Sequence, residues 1–220
     1  MAAADLTQDQ VRIRATALTQ ARYDRLAPFY DAMESFMERA VFGELRRELW
    51  SRVNAGRLLE VGVGTGKNIP HYPRLAQVTA IDLSGRMLDR ARPRAEALGV
   101  KLDLRQMDVQ ELKFAGDAFD AAVATFVFCS VPAPLQGLHE LGRVVKPGGD
   151  IWLMEHVRVN RPGVGLLMDM LNPLVVRVMG ANINRQTVQN VRLAGLEVVD
   201  VEPLRGELVK LIHARPGWKA

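Results

Sequence analysis

The run Leu58-Leu59-Glu60-Val61-Gly62-Val63-Gly64-Thr65-Gly66 constrains this chain more than any other. A stretch of β-formers ends in three glycines at alternate positions, the pattern of a strand feeding a tight turn. Glycines at a strand's carboxyl end let a ligand approach the backbone where a Cβ would collide. In open α/β sheets ligands bind at that edge, near the point where strand order reverses. The spacing is G-x-G-x-G, and Lys67 stands where a dinucleotide fingerprint places its third glycine.

The remainder of the chain supplies the sheet. From residue 57 onward, β-rich runs at Leu58–Val63, Val78–Leu83, Leu102–Met107, Phe119–Phe126, Ile151–Glu155, Leu196–Val201 and Leu208–His213 alternate with helical stretches. Ser84 reads as the N-cap of a helix over residues 85–98 and Gly99 as its stop, with Pro93 kinking it or marking a late start. Alternating strands and helices predict an α/β fold, open and doubly wound. Upstream, Leu18, Tyr23, Leu26, Phe36, Met37, Val41, Leu45 and Leu49 recur at helical spacing, and Pro28 is expected to split this region into two helices. The organisation is therefore residues 1–56 as a helical, membrane-contacting lid and 57–220 as the main domain, with a helical insertion at about 158–185.

Two carboxylates follow the glycines at successive strand ends. Asp82 closes the second strand, where its two oxygens match the vicinal diol of a ribose. Asp108 closes the third, beside apolar residues suited to an adenine ring, where an acceptor meets the exocyclic amine.

With Glu60–Gly66, Asp82-Leu83-Ser84-x-x-Met87-Leu88, Met107-Asp108, Ala118-Phe119-Asp120 and Arg143-Val144-Val145-Lys146-Pro147-Gly148-Gly149 in place, the chain resembles the class I S-adenosylmethionine-dependent methyltransferases. The resemblance implies a Rossmann-like sheet of seven strands, mostly parallel with the last antiparallel. It implies S-adenosylmethionine as cofactor and S-adenosylhomocysteine as product. By the same resemblance Gly62, Gly64 and Gly66 line the methionine part, Asp82 holds the ribose near Met87, and Met107 and Asp108 flank the adenine. Phe126 and Val127 close over it, and Glu60, Asn68, Leu83 and Val109 complete the cofactor set.

The acceptor is read from the ends of the chain, because the core motifs are shared across many reactions. Arg22–Asp31 resembles the entry helix of quinone methyltransferases and bacterial phospholipid N-methyltransferases. The segments Ala124–Pro132, Glu155–Arg158, Leu167–Leu174 and Gly180–Arg185 are similar to the Rhodobacter-type phosphatidylethanolamine N-methyltransferases. That resemblance implies stepwise methylation of the lipid amine to phosphatidylcholine. A primary ammonium has no lone pair, so its proton must leave first; the candidate acceptors are Tyr30, His156, Tyr23 and Glu155. Arg158, Arg177, Asn182 and Arg185 are the candidates for the lipid, the arginines pairing with its phosphate. Leu166, Leu167, Met170, Leu174, Val175 and Val178 are placed along acyl chains, with Asn172-Pro173 dividing the insertion into two short helices.

Charge distribution supports an anionic membrane surface as partner. Residues 157–192 hold five arginines against Asp169 and account for the whole net charge of +4. Basic plus apolar suits a lipid surface, whereas nucleic acid lacks its interleaved aromatics. No run of ~18 apolar residues or signal peptide is visible, and Cys129 is the lone cysteine. The expectation is a cytoplasmic monomer, peripheral to the inner face of the membrane, with Cys129 a buried small residue and no metal. Three other readings stay open: a C-methyltransferase of a polyprenyl quinone precursor, a non-catalytic cofactor-binding module, and a dinucleotide oxidoreductase.

Overall fold

The computed structural model describes residues 7–159, 163–179, 181–204 and 208–218. Arg161 and Gly180 lie outside the described residues, as do the side chains of Phe36, Met37, Leu174 and Val178. All seven expected strand runs form strands: β1 (Arg57–Val61), β2 (Gln77–Asp82), β3 (Leu102–Gln106), β4 (Phe119–Thr125), β5 (Val145–His156), β6 (Leu196–Leu204) and β7 (Val209–Pro216). They make one sheet in the order β3-β2-β1-β4-β5-β7-β6. The pairings from β3 through β5 are parallel, and β7 runs antiparallel to both β5 and β6. Strand β5 starts earlier than its apolar core suggests. Val145 already pairs with Phe119, and a register shift carries the ladder on to Asp150 opposite Ala121.

Alternation along the strands separates two cores, one on each face. In β1, Leu59 and Val61 join Leu138, Leu141 and Val144 of α4 (Pro134–Val144) and Val191 of α6 (Thr187–Leu193). Leu58 joins Leu45, Leu49 and Trp50 of α2 (Gly43–Ser51) and Leu88 of α3 (Gly85–Ala97) on the opposite face. This period-two division is what a sheet covered on both sides requires. Ser84 caps α3 by accepting the Met87 amide at 3.1 Å, and Gly99 beyond its end takes a φ of 64°.

Three prolines lie inside helices, which corrects the expected breaks. Helix α1 runs unbroken from Gln8 to Met37 through Pro28, and its end is marked by a π-helical turn, Glu38–Phe42. A proline removes one backbone bond but does not end a helix that is held on both sides. Here Asp24 accepts from the Ser84 hydroxyl at 2.5 Å before it, and Asp31 from Arg94 and Thr65 after it. Likewise α5 (Val164–Met179) is one helix containing Pro173. Asp169 is gripped by Arg158, and Asn172 accepts from the Ile183 amide at 3.0 Å. Helix α3 starts at Gly85, so Pro93 does not delay it.

Candidate functional site

The strand order reverses at β1, whose neighbours are β2 and β4, and a cleft opens at the carboxyl ends of these strands. Its floor is Gly62 and Gly64, its sides Asp82, Leu83, Met87, Met107, Asp108 and Val109, and Phe126 and Val127 close it. Tyr23 and Tyr30 of α1 line it from above. Thus ten of the thirteen expected cofactor residues and both expected tyrosines meet in one place.

The glycines are needed there. Gly62 has a φ of 68°, and a Cβ on it would stand 2.4 Å from Val127. Gly64 has a φ of 56° with nothing within 4 Å, so its backbone faces open space in the cleft. Such a bare cradle beside an acceptor pair suits a ligand that brings hydroxyls and an apolar ring. Asp82 Oδ2 accepts from the Gly64 amide at 2.8 Å and Oδ1 from the Ser84 amide at 2.9 Å. Each oxygen keeps a lone pair, which is what a ribose diol requires. Burial pushes the Asp82 carboxyl up to about 6. Met87, Ile81, Val109 and Val131 give the apolar walls. These residues fit S-adenosylmethionine.

Three members of the expected cofactor set stand behind the cleft rather than in it. Gly66, with φ 84°, sits against Ile69 and Ala91. Glu60 and Asn68 are both buried, because β1 turns Glu60 to the α2 face. There Asn68 Nδ2 donates to Glu60 Oε1 at 2.5 Å and to Thr125 at 2.8 Å, and the Tyr72 hydroxyl donates to Glu60 Oε2. Arg46 completes the network, donating to Asn68, Thr125 and Glu38.

Two of the four expected proton acceptors are also elsewhere. Glu155 is fully buried at the end of β5 and accepts the Val127 and Phe128 amides at 2.8 and 2.9 Å. It braces the loop that holds Phe126 at φ 57°, a strained conformation for an aromatic residue. His156 stacks on the Phe126 ring at 4.5 Å and meets Phe42 edge-on, and it does not line the cleft.

The expected lipid residues are mostly committed within the protein. Arg158 makes a forked pair with Asp169 at 2.9–3.2 Å. Asn182 donates to the Cys129 carbonyl, and Arg185 to the Val131 carbonyl, each at 2.9 Å. Arg177 is exposed on α5. Cys129 is buried as expected, and burial raises its thiol pKa, which keeps it unreactive.

Sequence reasoning missed Thr19, Thr125, Ser130 and Gln110, which also line the cleft. Gln110 was within reach of inference. Two residues past Asp108, it donates to both Asp108 oxygens and ties them to Thr16 of α1.

The buried acids set an expected pH response. Burial raises Glu60 and Glu155 to about 7 and Asp82 to about 6. The folded chain therefore holds these protons more tightly than the unfolded chain does. Stability is full below the ordinary carboxylate range and falls as pH rises from about 4.5 to 7. The apo protein should melt several degrees higher at pH 5.5 than at pH 7.5, from a difference on the order of 2 kcal/mol. A flat melting profile across that window by calorimetry would remove the effect.

A family profile described as a methyltransferase domain matches residues 59–153. A phosphatidylethanolamine N-methyltransferase of Cereibacter sphaeroides is 44% identical over 115 residues, which covers 50% of this chain and 57% of that enzyme. The chain thus spans less than two thirds of that relative's length. A ubiquinone/menaquinone biosynthesis C-methyltransferase of Roseobacter denitrificans is 30% identical over 172 residues, covering 74% of this chain and 69% of that one. Among solved structures, a methyltransferase from Thermotoga maritima described as a possible histamine N-methyltransferase superposes with a TM-score of 0.68 at 20% identity. It covers 88% of this chain and 98% of that one, and it shows the shared fold.

Proposed function

The chain belongs to the class I S-adenosylmethionine-dependent methyltransferases, and from that premise we propose that it methylates the amine of phosphatidylethanolamine, in up to three steps, to phosphatidylcholine at a membrane surface. The observation that carries this reading is the 44% identity to a phosphatidylethanolamine N-methyltransferase, against 30% to the quinone enzyme. When bound, S-adenosylmethionine supplies an electrophilic methyl to the amine lone pair and leaves as S-adenosylhomocysteine.

The chain's own residues hold and deprotonate the acceptor. Tyr23 and Tyr30 of α1 line the cleft. In this reading a tyrosine hydroxyl relays the ammonium proton, accepting it as it releases its own O–H proton to solvent, and the ring faces hold the methylated cation by cation–π attraction. The same attraction serves every step, because each product keeps a cationic head. Glu155 positions the loop, and His156 supports Phe126.

The proposed partner is an anionic membrane surface. Leu166, Leu167 and Met170 of α5 and Ile13, Leu18, Phe29 and Met33 of α1 are all more than half exposed. No helix among the described residues is long and apolar enough to cross a membrane, so these faces suit peripheral attachment to a cytoplasmic leaflet.

Purified protein incubated with methyl-labelled S-adenosylmethionine and phosphatidylethanolamine vesicles should yield mono-, di- and trimethylated head groups by mass spectrometry. Tyr30→Leu should slow the last two transfers about thirtyfold, the size of a desolvated cation–π contact of about 2 kcal/mol. Label in a demethylated quinone and none in phospholipid would reassign the acceptor to the quinone.

A further inference from the structure

A second cleft lies outside the cofactor site, at the carboxyl end of β5 beside β7 and α6. Arg158, Arg185, Arg192 and Lys210 line it with Thr187 and Gln189, and no acidic residue is among the described residues lining it. Arg158 is matched by Asp169, which leaves three further cations facing one space. Two buried groups here make no hydrogen bond within the protein: Arg185 Nε and the hydroxyl of Thr187, a residue only 1% exposed. A buried donor left unpaired is costly, so a built site is the economical reading of both. Several N–H and O–H donors among cations that stay in excess even with the buried Glu155 acting on Arg185 match a tetrahedral oxyanion, which offers multiple acceptor oxygens.

We infer that this cleft binds a phosphate group and, resting on the reading above, that the group is the phosphodiester of the lipid acceptor's head group. Arg185 connects the two sites. One of its nitrogens donates to the Val131 carbonyl, Val131 lines the cofactor cleft, and Arg185 itself lines the basic one. Within the basic cleft the Arg158 amide donates to the Arg185 carbonyl at 3.0 Å, which fixes the two segments to each other. Neighbouring strands are ~4.8 Å apart, so β7 stands roughly 10 Å from β4, and long cationic side chains reach across that interval. The head group would lie between the sites with its amine toward Tyr23 and Tyr30. The assignment moves the phosphate from the expected Arg177 and Asn182 to Arg192, Lys210 and Thr187.

The test is a calorimetric titration with two probes, glycerophosphoethanolamine and inorganic phosphate, on the S-adenosylhomocysteine-bound protein. The double variant Arg192→Ala/Lys210→Ala should bind glycerophosphoethanolamine at least tenfold more weakly, as expected when hydrogen bonds to a charged group are lost. Its affinity for S-adenosylhomocysteine and its melting temperature should not move. Thr187→Val should weaken the same probe without altering charge. Binding that survives the double substitution overturns the cleft. Inorganic phosphate bound as tightly as the head group, and lost with the same substitutions, supports the anion site and overturns the lipid as its source. Head-group binding that is intact without any methylation of phosphatidylethanolamine vesicles refutes the proposed reaction and leaves this site standing.

Discussion

Asp82→Asn should weaken S-adenosylhomocysteine binding about a hundredfold while leaving the fold in place. In the native chain the two carboxylate oxygens accept the Gly64 and Ser84 amides. An asparagine keeps one acceptor and turns an NH₂ toward one of those N–H groups, so donor faces donor. If the amide nitrogen faces Gly64, the glycine cradle loses the bond that shapes it. If it faces Ser84, the turn before α3 loosens, next to the hydroxyl that caps the helix and reaches Asp24 of α1. In either orientation the ribose meets one acceptor in place of two. Hydrogen bonds to a charged group contribute about 1.5–3 kcal/mol each, so losing the equivalent of one or two comes to about 3 kcal/mol, a factor of ~10². The wild type should also bind less tightly as pH falls below about 6, where the Asp82 carboxyl takes up its proton, and the variant should show no such dependence. Titration calorimetry at pH 7.5 and pH 5.5, with circular dichroism to confirm folding, reads both effects. An affinity within threefold of wild type would remove Asp82 from the cofactor site.

That residue also marks where sequence reasoning works best. The glycines, Asp82 and Asp108 stand at successive strand ends, and parallel topology brings strand ends together whatever the details of packing. Ser84 and Gly99 are legible for a similar reason, since caps are local chemistry within one turn. The failures involve partners distant in sequence. Pro28 and Pro173 read as breaks because the anchors that hold α1 and α5 through them, Ser84 and Arg94 in one case and Arg158 and Ile183 in the other, lie elsewhere in the chain. Arg158 and Arg185 read alike as phosphate ligands. Only the fold reveals that one is matched by Asp169 and that the other bonds the Val131 carbonyl, 54 residues away. Glu155 is the sharpest instance. A carboxylate after a strand, beside a histidine, looks like a general base, yet the sheet turns it inward to the amides of the loop after β4.

The same inward turn at β1 leads to the second large expected effect, in stability rather than binding. Alternation puts Glu60 on the face packed by α2, in a core otherwise built from Leu45, Leu49, Trp50, Leu58 and Val123. An isolated carboxylate there would be prohibitive. Arg46, 6% exposed, answers it from α2: its charge favours the ionised form of Glu60, and its guanidinium bonds Asn68, Thr125 and Glu38 and lies 5.7 Å from the Phe126 ring. Arg46→Met keeps most of the volume and removes the charge. Deleting one partner of a buried ionic network costs about 3–5 kcal/mol, and at about 2–4 °C per kcal/mol for a domain of this size the melting temperature should fall by roughly 6–20 °C. Glu60 would then hold its proton to still higher pH. The pH range over which stability is lost should extend upward, so the variant falls further behind at pH 8 than at pH 6. Thr125 also lines the cofactor cleft, so added S-adenosylhomocysteine should recover part of the lost stability by mass action. Double substitution of Arg46→Met with Glu60→Gln should be less damaging than the sum of the two, because each change removes the other's reason for being buried. Strict additivity would mean that Arg46 stabilises this face through packing alone and that its charge does not serve Glu60.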